Sequence, residues 1–195
     1  HWIITRTDPM QEAYEDYTRF SSRVLLVPKE IGESFDMAPT TYDPPKNRPY
    51  RKIMQESFSP KKVKGYEQSI RRIICELIDS FKHDGRCNFR EQFADPMPII
   101  LLMDLMDLPM ADVPKFKYWA EQITRNLGDM TIQEAVDAFY DYLGPIVAQR
   151  MEKPGEDMIS MVANAEMGDR PIKHEEAHKI VSQVLQAGVD TVAQA

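Results

Sequence analysis

The sequence predicts a mainly α-helical protein with a small β element. Two observations carry this. Apolar residues recur at helical spacing through most of the chain, and most of those runs are bounded by Pro, Gly or Asp rather than by hairpin turns. A length of 195 residues, with 43% hydrophobic and 28% charged residues, is enough for a sizeable core and excludes a disordered chain.

Taken in order, WIITR at 2–6 is β-branched and predicts a short strand. DPMQEAYEDY follows as a helix with Asp8 as cap and Pro9 at its first position. Residues 21–43 contain Pro28, Gly32 and Pro39 without a period, which predicts a long ordered loop or one with a brief helical turn. Asp43-Pro44-Pro45 starts a further helix, ended by SFSP at 57–60, which also caps the next. In that next helix Ile70, Ile73, Ile74, Leu77, Ile78 and Phe81 form one stripe, read as core-facing, and HDG at 83–85 stops it. Helices are expected at 97–107, 111–126, 131–152 and 156–166; the stripe Ile132, Ala135, Val136, Phe139, Tyr140, Leu143 and Val147 supports the third. A turn at 167–173 leads into a last helix from His174, with Val181, Val184, Leu185, Val189 and Val192 on one side. No repeat or linker divides the chain, so residues 1–195 are read as part of one domain.

The longest apolar run, MPIILLM at 97–103, is too short to span a bilayer, and nothing near the start has the layout of a signal peptide. A soluble, cytoplasmic protein is expected. Cys75 and Cys87 have no metal or redox spacing, and Cys75 beside Ile73 and Ile74 reads as a small core residue. The sequence begins with His1 and ends inside a helical pattern, so both ends read as cuts.

A net charge of −7 argues against general nucleic-acid binding. Yet Lys46, Arg48, Arg51, Lys52, Lys61, Lys62 and Lys64 face only Glu56 in that stretch, a local net charge of +6. This is either a solvated basic face or a docking site for an anionic partner or cofactor. His174-Glu175-Glu176-Ala177-His178 matches the zinc spacing H-E-x-x-H, but Lys173, Glu176 and Lys179 crowd it at a helix start, and no third ligand is placed by His1 or His83. Glutamates in a first turn also suit the helix dipole without a metal.

The last helix poses the sharpest question, because Gly188, Asp190 and Thr191 sit in its apolar middle. Its A-G-V-D-T run, DPP and FSS, together with the ordered series HWIITR, EAYEDY, P-x-E-x-G-E, CNF, FKYW, MT-x-x-EA, YDYL-x-PI, EKPGED, ISMVAN, RPI and GVDTV, resemble the cytochrome P-450 superfamily of haem-thiolate monooxygenases. The similarity is greatest to its bacterial camphor-hydroxylating members. The resemblance implies the N-terminal to central portion of that fold, ending within the central helix over the distal haem face.

It further implies that Ala187 and Gly188 thin this helix for dioxygen, that Thr191 hydrogen-bonds the bound oxygen, and that Asp190 relays protons with support from Lys117 and Arg125. Leu26, Phe35, Met37, Thr40, Gln183 and Gln186 fall on substrate-lining positions. Phe35 stands where the relatives carry a tyrosine that holds the camphor ketone, and the glutamines replace aliphatic residues; a terpenoid-sized apolar substrate other than camphor is therefore expected. Asn47 and Arg51 fall where haem propionates are bound, and Arg48 with Arg51 on the face that docks an acidic iron–sulfur ferredoxin. Electrons would come from NAD(P)H through a reductase and that ferredoxin, to haem b. The axial cysteine of the family lies in a glycine-containing loop absent from this sequence, so no metal ligand is assigned here and the piece alone is expected to be inactive. Relatives build a potassium site partly from carbonyls of the 23–35 loop; potassium is left unassigned here because Arg23 replaces an acid there. The rivals are an H-E-x-x-H zinc hydrolase and a non-catalytic, haem-free binding module.

Overall fold

The computed structural model describes residues 3–23, 38–125 and 129–193; the side chains of 124, 125 and 189–193 lie outside that description. Eight α-helices and one two-stranded sheet are seen among the described residues. They are α1 (Thr7–Glu15), α2 (Arg48–Ser57), α3 (Pro60–Phe81), α4 (Pro96–Leu105), α5 (Val113–Arg125), α6 (Ile132–Glu152), α7 (Met158–Ala163) and α8 (His174–Ala193). Strands β1 (Glu166–Met167) and β2 (Arg170–Pro171) lie between α7 and α8. The strands are antiparallel, with Glu166 opposite Pro171 and Met167 opposite Arg170. Gly168 makes the turn at φ 70°, a region open to glycine without a Cβ penalty. The segment expected as a plain turn is thus a hairpin.

Local chemistry explains the helix ends. Thr131 and Glu134 cap α6 reciprocally, the Glu134 amide donating to Thr131 Oγ1 at 3.2 Å and the Thr131 amide to Glu134 Oε2 at 2.7 Å. Asp157 caps α7 by accepting from the Ser160 amide at 2.9 Å. Beyond α3 the chain tightens into a 3-10 turn, Lys82–Asp84, and stops at Gly85 with φ 65°. Asp8 lies inside the first turn of α1, which begins at Thr7, two residues earlier than a cap at Asp8 requires; its charge still suits that end.

The core is formed by α4, α5, α6 and α8. Ala135, Val136, Phe139, Leu143 and Val147 are all buried, as the α6 stripe requires. Phe139, Leu143 and Val147 share one core cluster with Met103 and Met106 near α4 and Ile180, Val181 and Leu185 of α8. Phe116 is the hub of an aromatic group, with ring centroids 5.4 Å from Trp119, 5.3 Å from Phe139 and 5.0 Å from Tyr142, all edge-on. Such pairs add about 0.5–1.5 kcal/mol each beyond area burial.

Three expectations fail. Residues 3–6 form no strand: Ile3 is 85% exposed, and a β-branched segment with no neighbouring strand among the described residues has no ladder to join there. In α3 only Ile73 is buried, while Ile78 is 41% exposed, because little among the described residues covers that stripe. Cys75 is exposed, not core; two residues from Ile73 it is turned to the opposite side of the helix. Residues 24–37, with Leu26, Phe35 and Met37, lie outside the described residues. No helix among the described residues is long and apolar enough to cross a membrane.

Candidate functional site

A cleft of about 880 Å³ opens between α1, the segment that follows it, and the start of α2. Tyr14, Tyr17 and Phe20 form one wall; Pro44, Asn47, Arg48 and Arg51 form the other. The aromatic wall exists because α1 ends abruptly. Asp16 accepts hydrogen bonds from Thr18 and Arg19, which turn the chain and hold its carboxyl well below the usual range. The three rings stay exposed instead of joining the core.

On the opposite wall, Arg48 and Arg51 stand at i and i+3 on α2, so their guanidiniums share a helix face. Neither has a carboxylate partner among the described residues. Two cations facing an aromatic cleft make a receptor for a flat molecule bearing carboxylates. All seven basic residues from Lys46 to Lys64 are exposed, and Lys46 Nζ sits 3.5 Å from the centroid of the Tyr42 ring.

The second group of candidates lies on α8. Ala187 is exposed, and Gln183 and Gln186 are half-buried. Gly188 points elsewhere: a methyl group built on it would lie 2.6 Å from Leu102 Cδ1 of α4. Gly188 permits close packing of α8 on α4, and Ala187 is exposed on α8. Lys117 is half-buried on α5, and Thr40 is exposed. The side chains of Asp190, Thr191 and Arg125, like residues 26, 35 and 37, fall outside the described residues.

The H-E-x-x-H residues have other duties. Lys179 pairs with Glu175 at 2.7 Å, and Glu176 receives both Arg170 nitrogens, at 2.8 and 2.6 Å, and the Lys173 amide at 2.9 Å. These donors bring the Glu176 carboxyl down to about 2. His174 Nε2 donates to the Gly144 carbonyl at 2.9 Å. His178 packs on Tyr140, ring centroids 4.5 Å apart, and burial first of all, with His174 second, lowers its pKa. No cluster of three or more metal-ligating side chains occurs among the described residues. The spacing serves to dock α8 on α6.

Comparison with solved structures decides the family. The chain is 40% identical to CYP101J2, with a TM-score of 0.88 over 99% of its length and 48% of that structure. CYP101C1 is similar at 30% identity and a TM-score of 0.86, again over 99% of the chain and 48% of that structure. The chain belongs to the cytochrome P450 superfamily. Among curated proteins it is 28% identical to cytochrome P450(MEG) of Priestia megaterium, over 98% of the chain and 50% of that protein. It therefore spans about half the length of the superfamily members it matches. No family model matches the chain.

Within this family the mainly helical architecture and small sheet match half of the P450 fold. Asn47, Arg48 and Arg51, named from sequence, are brought into one cleft. The aromatic wall of Tyr14, Tyr17 and Phe20 was not among the predicted site residues. EAYEDY and FSS contain those rings, but nothing in periodicity distinguishes an aromatic that stays exposed from one that packs.

Proposed function

We propose that the complete protein is a haem-dependent monooxygenase that hydroxylates an unactivated C–H bond of a small, apolar, terpenoid-sized molecule. It would use O₂ and electrons from NAD(P)H, delivered through a reductase and an iron–sulfur ferredoxin. The observation that carries this reading is the cleft: two guanidiniums without carboxylate partners among the described residues, opposite three exposed aromatic rings, in a P450 chain. That donor set fits haem b, whose two carboxylates suit Arg48 and Arg51 with Asn47 beside them and whose flat macrocycle edge suits the rings. Bound haem, with a thiolate ligand from outside this sequence, supplies the oxygen-insertion chemistry.

The residues of the chain bind, orient and move protons. Ala187, small and exposed on α8, leaves room for dioxygen. Gln183 and Gln186 supply the polar anchors that Phe35 lacks, and Leu26, Phe35, Met37 and Thr40 enclose the apolar body of the substrate. Asp190 and Thr191 pass protons inward. An aspartate beside an apolar pocket stays ionised only with a cation nearby, the part given to Lys117 and Arg125. The basic residues from Lys46 to Lys64 dock the acidic ferredoxin, and the surface charge steers the encounter. The zinc reading is not favoured, since its histidines and glutamates are engaged in helix docking and ion pairs.

The test is turnover of the full-length, haem-loaded protein with ferredoxin, reductase, NADH and a panel of monoterpenes under ¹⁸O₂. A hydroxylated product carrying one ¹⁸O atom is expected. Product oxygen drawn from water, or no oxygenated product from any terpene, contradicts the proposal.

A further inference from the structure

Asp43 precedes Pro44 and Pro45 and lies four residues ahead of Asn47, the N-cap of α2, and its side chain bonds to the segment that follows α1. Its Oδ2 accepts from Ser21 Oγ at 2.6 Å, its Oδ1 accepts from the Ser22 amide at 2.8 Å, and Arg23 Nε lies 3.4 Å from Oδ2. Its backbone carbonyl accepts from the Asn47 amide at 3.3 Å. The carboxylate is only 12% exposed. Ser22 belongs to one wall of the cleft and Asn47 to the other. One residue therefore ties together two segments more than twenty positions apart, and does so at the mouth of the anion-binding cleft.

We propose that Asp43 is a positioning residue that sets the width of this cleft, holding Asn47, Arg48 and Arg51 at the spacing that grips the two carboxylates of the bound group. The inference rests on the cleft reading above. An acid so near an anion site would ordinarily compete for its arginines. Here its acceptor capacity is taken up by Ser21, Ser22 and Arg23, leaving Arg48 and Arg51 to the ligand. The Ser21 hydroxyl and the Ser22 amide also keep the carboxyl ionised, below its ordinary value.

The experiment measures haem transfer from the full-length, haem-loaded protein to excess apomyoglobin, followed by absorbance, with thermal melting of each variant recorded alongside. Asp43→Ala is expected to release haem about tenfold faster, and Ser21→Ala a few-fold faster, at melting temperatures close to the parent. Arg51→Gln releases it faster still, and Asp43→Ala added to Arg51→Gln has a smaller effect than on the parent, because one of the groups that Asp43 positions is gone. If Arg51→Gln accelerates loss but Asp43→Ala and Ser21→Ala do not, or if their effects simply add, the positioning role is wrong. If Arg51→Gln itself changes nothing, the cleft reading fails instead. Should Asp43→Ala fold poorly, Ser21→Ala in the same cycle decides the matter.

Discussion

Gly188 of α8 and Leu102 of α4 leave no space for a methyl group between them: a Cβ on Gly188 would stand 2.6 Å from Leu102 Cδ1 and 3.4 Å from Cδ2 and Cγ. Leu102 is buried, so it has little freedom to swing aside. The close packing of α8 on α4 at this point thus depends on the absence of one side chain. Gly188→Ala is expected to destabilise the full-length protein by about 1–3 kcal/mol through overpacking. Leu102→Ala alone costs about 2–5 kcal/mol by leaving a cavity. In the double variant the new methyl group fills part of that cavity, so denaturant unfolding will show the two costs to be less than additive.

His178 predicts a loss of stability on mild acidification. Its pKa lies below the ordinary 6.5, mainly from burial and then from His174, while the Tyr140 carbonyl and Asp141 act in the opposite sense. As pH falls through about 6.5 the unfolded chain therefore takes up the proton first, and stability falls until the folded-state value is passed. Its Nε2 is buried without a partner, so the added proton would have no acceptor. His178→Gln should flatten the melting temperature between pH 7 and 5; an unchanged slope would assign that dependence elsewhere.

Glu176 acts in a lower window. With its carboxyl at about 2 against an ordinary 4.5, its contribution is complete above about 4.5 and is lost as pH falls toward 2. Glu176→Gln should be less stable than the parent at pH 6, and in thermal melts the gap should narrow below pH 4.5 and close only near pH 2.

Thr191→Ala is expected to uncouple the proposed reaction, so that NAD(P)H oxidation continues while hydroxylated product falls and hydrogen peroxide accumulates. Parallel assays of the three quantities check it, and tight coupling would remove the proton-delivery role. Phe35→Tyr restores a donor that a terpene ketone can use, and should raise camphor affinity by about fivefold in a spectral titration, the worth of one hydrogen bond of about 1 kcal/mol.

The sequence exposed what depends on local pattern and hid what depends on tertiary neighbours. The stripe of α6 is visible because every third or fourth residue meets α5, α7 or α8, and its Thr131–Glu134 capping box is encoded within four residues. The equally clear stripe of α3 misleads, because periodicity reports an apolar face and not what covers it. WIITR reads as a strand by propensity alone, and a strand needs a partner. In the site, Asn47, Arg48 and Arg51 were legible through resemblance, whereas the tie from Asp43 to Ser21 and Ser22 spans too many residues for any local signal. Gly188 was legible as an anomaly, but which neighbour it admits required Leu102 to be placed.

The central claim is that this chain supplies the distal and carboxylate-binding half of a haem-thiolate enzyme. It is tested most directly by the absorption spectrum of the full-length protein, reduced under carbon monoxide. The account predicts the strongly red-shifted Soret band for which the superfamily is named. A protein that takes up no haem, or whose reduced carbon monoxide complex absorbs where histidine-ligated haem proteins do, would contradict it.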